Sequence, residues 1–468
     1  MTGRGAQGDP VFDVAVIGAG VVGCAVARAL TLAGAHVLVL EKAADILDGA
    51  SKGNSGILHT GFDAPPGSLE QNCIAAGYRD YLDIRRRLNL PLLETDALVL
   101  AWSDAEAKRL DGLMEQARAN GVDDVARLSR QDILNREPGL SERVVAGFLV
   151  PGEHVIDPWS APLAYLLQAV RNGAECRRGT EVLGGTFDGA AWTLETSGGP
   201  VRANAVVTCA GLYGDLVDRK LTGASRFTIR PRKGQFVVFD KAAASLVRSI
   251  ILPVPSATTK GVVICRTSYG NLLVGPTAED QESRTDASVD TDALEALRMQ
   301  AVAMLPGLAG MPVTATYAGL RPATEDKEYR ITCDPERRYI SVGGIRSTGL
   351  SGALGIAQHV LGLAEAGWSF AADPPDPIVW PTVETITEYG ERAWARSGNG
   401  GIVCHCELVT RAEIERALDG PLGARSFAGL KRRTRATMGR CQGFYCLGAL
   451  TDLAADHLDS VPPDIRST

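Results

Sequence analysis

The chain has 468 residues, about three times a common domain length, which implies two or three domains and a sizeable core. Its composition, 45% hydrophobic and 22% charged, excludes a disordered, fibrous or coiled-coil molecule. With 48 Lys and Arg against 55 Asp and Glu, the net charge of −7 gives no general attraction to nucleic acid or to an anionic membrane.

Residues 1–10 are polar and Gly-rich, with no apolar stretch ahead of a cleavage site, so the expectation is a cytoplasmic protein without a signal peptide. From about residue 11 to 370, short β-branched runs alternate with amphipathic stretches, the pattern of an α/β protein. The first run, Asp13 to Ile17, passes directly into Gly-x-Gly-x-x-Gly at Gly18, Gly20 and Gly23 and then into a helical stretch reaching Ala33. Gly18 permits the tight turn, Gly20 lets backbone approach a pyrophosphate, and Gly23 allows close packing of helix on strand. The phosphates would meet the free N–H groups and positive end of that helix. The next strand, His36 to Leu40, ends at Glu41, whose carboxylate suits ribose hydroxyls and disfavours a 2′-phosphate, leaving FAD or NAD open. Val21 to Leu40 approaches a membrane-spanning length only by including Arg28 and His36, and it reads as crossover helix and strand with no transmembrane segment.

Two later stretches, Ala205 to Asp215 with Gly211, and Gly343 to Ala353 with Gly344, Gly349 and Leu350, resemble the second and the C-terminal flavin motifs of the FAD-dependent D-amino-acid-oxidase superfamily. That resemblance covers residues 11 to about 368. It implies FAD, held in a Rossmann-like domain interleaved with a mixed-sheet substrate domain. Within the superfamily, the runs from Ser51 through Asn54, Ser55, Gly56, His59 and Gly61 to Leu69, together with Pro231–Gln235, Asn271–Thr277 and Gly319–Pro322, resemble the group of glycerol-3-phosphate dehydrogenases and oxidases and L-2-hydroxyglutarate oxidases. Ser51, Asn54 and Ser55 are then expected at the flavin.

The expected chemistry is oxidation of a small anionic secondary alcohol by hydride transfer, which also requires loss of the hydroxyl proton. A neutral imidazole is a suitable base, and His59 resembles the active-site histidine of the group. Arg321, in Gly-Leu-Arg-Pro, offers a planar fork to a substrate carboxylate or phosphate. Lys260 resembles a substrate-contacting lysine of the glycerol-phosphate oxidases, and Arg346 is placed near the flavin. His154 reads as a turn or packing residue. These types also suit secondary amines, so a flavin amine or amino-acid dehydrogenase stays open, as does an electron-transfer subunit without its own substrate site.

At residues 371–397, three prolines among Pro374, Pro375 and Pro377 interrupt either regular element, and this stretch reads as a linker. A module over 398–456 follows, with a short helix at Arg411 to Leu418. Of ten cysteines, Cys404, Cys406, Cys441 and Cys446 cluster here, which in a reducing compartment points to metal. The spacing Cys-x-Cys, then Cys-x4-Cys, resembles the bacterioferritin-associated ferredoxins, which implies a 2Fe-2S cluster on these four thiolates. A structural zinc site is the competing reading. Between Arg425 and Cys441 lie six cations and no acid, with Phe427 as the sole aromatic, which disfavours nucleic acid. The run is expected to serve the cluster or a docking face for a redox partner. Electrons would leave through the cluster to a one-electron acceptor or partner protein, with partner subunits as a further expectation.

Overall fold

The computed structural model describes residues 11–255, 261–370 and 372–459. Val11–Ile17 is buried at all but its first residue, as a central parallel strand must be, and it pairs in parallel with Val37–Leu40 on one side and with Val201–Thr208 on the other. Val201–Thr208 in turn pairs in parallel with Tyr339–Gly343. The eight-stranded sheet is therefore assembled from three distant stretches of chain. The two apolar helices Val21–Leu32 and Gly349–Gly367 cover it, packed on each other, the first also on Ser160–Arg171 and the second on Leu69–Leu88.

The intervening chain builds a second, nine-stranded mixed sheet. Its longest ladder joins Arg230–Phe239 to Val313–Ala323 in antiparallel register, placing Arg232 opposite Arg321. Apolar clusters fill both faces, around Phe239 and Ile264 on one and around Phe148 and Cys265 on the other. A small three-stranded sheet, in which His154–Ile156 lies between Ile57–Leu58 and Leu92–Leu93, joins the two layers. The expected α/β architecture with interleaved cofactor and substrate parts is what the chain adopts.

The described residues of 372–397 have no regular element beyond a 3-10 turn at Ala393–Ala395, yet they are pinned along the body of the protein. Val379 N donates to Asn172 Oδ1 (2.9 Å), Val383 N donates to Leu88 O (3.2 Å), and Arg87 covers the Trp380 ring at 3.5 Å. Beyond it, Arg411–Leu418, Phe427–Thr434 and Leu447–Ala454 enclose a separate apolar cluster containing Cys404, Ile414, Leu430, Cys446 and Leu450. Arg411–Leu418 begins with a capping box in which Thr410 Oγ1 accepts from Glu413 N and the Glu413 carboxylate accepts from Thr410 N. Among the described residues no helix is long and apolar enough to cross a membrane.

Candidate active site and cluster module

The first glycine run does mechanical work before it does chemistry. Gly18 has φ +104°, and a Cβ there would sit 2.6 Å from Cys209 O; a Cβ on Gly23 would run into the carbonyl of Gly18. The helix Val21–Leu32 starts after Gly20 without a side-chain cap, so its N–H groups face an open channel of about 570 Å³. Ser51 Oγ accepts from Val21 N at 3.0 Å. Glu41 holds the loop from both oxygens, accepting from Ala19 N (2.8 Å) and Ala43 N (2.9 Å), and each oxygen keeps a lone pair. Burial raises its carboxyl, and those two N–H groups oppose the rise. Gly18, Gly20, Glu41, Ser51, Gly211, Gly344 and Gly349 all line the channel. A glycine-walled slot at an uncapped helix start, with an acid beyond it, fits a dinucleotide.

Four expected cofactor residues stand elsewhere. Gly23 sits behind the turn, and Leu350 is buried in the first turn of Gly349–Gly367; neither lines the channel. Asn54 and Ser55 line a second cavity. Asn54 Oδ1 caps Gly56 N (2.7 Å), and its carbonyl accepts from Tyr317 Oη (2.8 Å), which ties this loop to the second sheet.

His59 follows the short strand Ile57–Leu58, and its backbone N–H donates to Ser351 Oγ (2.8 Å) in the helix that begins at Gly349. Its Nδ1 lies 2.7 Å from Glu153 Oε2, while Glu153 Oε1 accepts from Thr60 N (2.7 Å) and Thr60 Oγ1 (2.8 Å). Glu153 is fully buried and the His59 side chain is 21% exposed, so one ring nitrogen is anchored inside and the other is left for a ligand. Sequence reasoning missed Glu153, because its partner lies 94 residues away and only the adjacent His154 drew notice. His154 is a packing residue: its ring stacks on Tyr78 and its Nδ1 meets Thr95 O at 3.0 Å.

Arg321 is half-buried, with Nη2 donating to Thr277 O (3.2 Å) and Nη1 enclosed without a hydrogen-bond partner among the described residues. Burial, then the charges of Arg232 and Arg346, bring its guanidinium down to about 10. Gly234, across the ladder, leaves the fork its place, since a Cβ there would clash with it. Arg232 pairs with Asp280 at 3.1 Å. It stood inside the Pro231–Gln235 run without being singled out. Lys260 lies outside the described residues.

In the cysteine module the thiols meet in two pairs, Cys406 with Cys441 and Cys404 with Cys446. Among the described residues no three His, Cys, Asp or Glu side chains close around a single ion, whereas two thiol pairs suit two irons bridged by sulfide. Burial and then Cys404 raise the Cys446 thiol to about 12. Backbone N–H groups, that of Tyr445 first, lower Cys441.

The middle of the basic run packs against the flavin part of the chain, while Arg425 and Arg440 at its ends are exposed. Arg433 donates through both Nη atoms to buried Asp45 (2.9 and 2.8 Å), whose Oδ2 also accepts from Arg425 N (3.1 Å). Arg178 bridges from the first sheet to Asp45 (3.5 Å) and Gly423 O (2.6 Å). Arg432 donates to Ile46 O (2.9 Å), and Arg440 forms a two-pronged pair with Asp240 (2.6 Å each). Arg435 reaches Glu407 (3.3 Å) and Asn271 Oδ1 (3.2 Å) and covers the Tyr269 ring at 4.0 Å. Arg432, Arg433 and Arg435 are consumed within the chain, because a guanidinium shielded from solvent requires local acceptors, whereas the side chains of Arg425 and Arg440 are exposed.

Residues 13–363 match the family described as FAD dependent oxidoreductase, and residues 402–456 match the BFD-like 2Fe-2S binding domain, which decides for iron and sulfide over zinc at the four cysteines. A glycerol 3-phosphate dehydrogenase of Caloramator mitchellensis is 33% identical over 458 residues, 96% of this chain and 95% of that protein. A glycerol 3-phosphate oxidase of Mycoplasma pneumoniae is 30% identical over 374 residues, 77% of this chain and 96% of that one. The solved structure of dithionite-reduced L-alpha-glycerophosphate oxidase from Mycoplasma pneumoniae with FAD bound superposes with a TM-score of 0.73 at 27% identity, covering 78% of this chain and 97% of that one. The chain is thus a member of the FAD dependent oxidoreductase family, similar to glycerol-3-phosphate and 2-hydroxyacid dehydrogenases, with a 2Fe-2S domain at its C-terminal end.

Proposed function

We propose that this enzyme is a dehydrogenase for glycerol 3-phosphate or a closely similar phosphorylated secondary alcohol. The observation that carries the reading is the enclosed Nη1 of Arg321, without a partner among the described residues and in the field of Arg232 and Arg346. At an effective dielectric constant near 20, one charge pair roughly 5 Å apart is worth about 3 kcal/mol, so a phosphate dianion gains about twice what a monocarboxylate gains. That difference favours a phosphate ester over a 2-hydroxy acid that presents a single carboxylate to this guanidinium.

The proton on the reacting hydroxyl goes to His59. Glu153 accepts from Nδ1–H, which leaves Nε2 with its lone pair towards the substrate. Arg321, with Lys260 as a second cation implied by family resemblance, orients the anion. Bound FAD would supply the two-electron acceptor and the cluster a one-electron outlet. Gly18, Gly20, Glu41, Ser51, Gly211, Gly344 and Gly349 would hold the first, with Gly23, Asn54, Ser55 and Leu350 supporting its loops. Cys404, Cys406, Cys441 and Cys446 would hold the second.

The functional division runs as flavin part 11–370, linker 371–397 and cluster module 398–456. Phe444 and Tyr445, 83% and 77% exposed between the last two cysteines, form the face offered to a one-electron acceptor protein. The six cysteines outside the module form no disulfide, in keeping with a cytoplasmic setting. An amine that binds in its neutral form loses hydride without a base and would leave the anchored His59 no proton to take, and an electron-transfer subunit would have no use for Arg321.

The test is anaerobic titration of the holoenzyme with glycerol 3-phosphate, glycerol, L-2-hydroxyglutarate and glycine, followed by flavin absorption and EPR. Bleaching by glycerol 3-phosphate at the lowest concentration, with a reduced-cluster signal, is expected. Preferential bleaching by L-2-hydroxyglutarate or glycine would sink the phosphate reading.

A further inference from the structure

A second cavity, of about 340 Å³, lies where the cysteine module meets the flavin part, a volume within the range of small-ligand sites. Its wall includes Lys52 and Asn54 from the loop after Ser51, and Lys431, Arg432 and Arg435 from the module. No Asp or Glu lines it, and neither do His59 or Arg321. Three of these cations have anionic partners outside the wall: Lys52 and Arg432 share Asp48 (3.7 and 3.4 Å), and Arg435 has Glu407. Lys431 has no hydrogen-bond or ion-pair partner among the described residues, and burial, then Arg435, lowers its ammonium. An unpaired ammonium in a half-enclosed chamber without carboxylates is costly when empty, and an oxyanion removes that cost.

We propose that this chamber is a second anion site, distinct from the substrate site, which takes the phosphate or carboxylate group of a small effector between Lys431 and Lys52. The occupant bridges the two parts of the chain. Arg435, on the same wall, also reaches Asn271, the Tyr269 ring and Glu407 beside Cys406, so occupancy bears on the seam and on the loop of the cluster. A ligand that binds only the docked arrangement stabilises it by mass action.

The experiment is calorimetric titration of full-length oxidised holoenzyme with inorganic phosphate and, separately, with malonate. Arg321→Met weakens anion binding at the substrate site, so a saturable event that survives in that variant and depends on Lys431 reports the seam. Adding Lys431→Met to it is expected to weaken the event at least tenfold with flavin and cluster absorption intact, and Lys431→Arg to restore it. Tighter binding of phosphate assigns a phosphorylated effector, and tighter binding of malonate a dicarboxylate. No saturable binding of either anion in Arg321→Met, or binding unaffected by Lys431→Met, overturns the proposal. A failure of the phosphate-alcohol reading would instead show in the substrate titration and leaves this result standing.

Discussion

The nucleotide channel and the seam under the cysteine module are both sites of close approach, but they are specified in opposite ways. At the channel, Gly18, Gly20, Glu41 and Ser51 on its wall and Gly23 behind its turn fall within a short stretch of chain and act largely through backbone geometry. At the seam, Asp45 meets Arg433 across 388 residues and Arg440 meets Asp240 across 200. Local backbone demands leave a motif; long-range charge pairing leaves only a composition.

The largest break is expected in the channel. Gly23→Ala forces a methyl into the Gly18 carbonyl with little freedom to relax, and the purified protein should lose most of its flavin, read as absorbance per chain. At the seam, Asp45→Asn leaves Arg433 and Arg178, 8% and 9% exposed, without their anion. A loss of about 3–5 kcal/mol is expected for such a buried pair. The module should then release, with faster proteolysis within 372–397 but flavin retained; an unchanged cleavage rate would show that the seam does not depend on this carboxylate.

Glu153→Gln tests a third long-range pair. The amide can present an N–H to Nδ1 and so favour the wrong tautomer, and kcat should fall roughly 10²–10⁴-fold, the usual span of a positioned base, with KM little changed. A changed KM with kcat intact would make Glu153 a substrate-binding support.

The smallest effect is acid loosening of the seam. Hydrogen bonds from Arg440 hold the Asp240 carboxyl down at about 2, below its unfolded value near 3.9. Burial pushes Asp45 up, but Arg433, the Arg425 N–H and Arg178 together more than reverse this, and its carboxyl is also lowered. Groups with depressed values stabilise above the unfolded value and lose that contribution as pH falls through the folded one. Docking should therefore be insensitive to pH between 5 and 8 and weaken progressively below about 4, measured by the same proteolysis or by scattering.

Much of the fold was legible for the same reason that the channel was. The run Val14–Ile17, the helix after Gly20, the strand ending at Leu40 and the helix Arg411–Leu418 carry period, caps and glycines that act within a few residues. His59 and Arg321 were reachable by resemblance, whereas Glu153 was not, since nothing near it in sequence requires an acid. The basic run was read as serving the cluster or a docking face for a redox partner, but the enclosure of Arg432, Arg433 and Arg435 depends on acceptors at Asp45, Ile46 and Asn271, which no local pattern announces.

The pinned linker has a kinetic consequence. About 26 residues, fully extended, would reach some 85 Å, ample for a tethered carrier that swings between an electron donor and an acceptor. The bonds from Val379, Val383 and the arginine seam remove that freedom. Internal transfer in this chain should then be governed by a fixed gap and not by a diffusing arm, and its rate should hold steady in viscous solution where that of a swinging domain would fall.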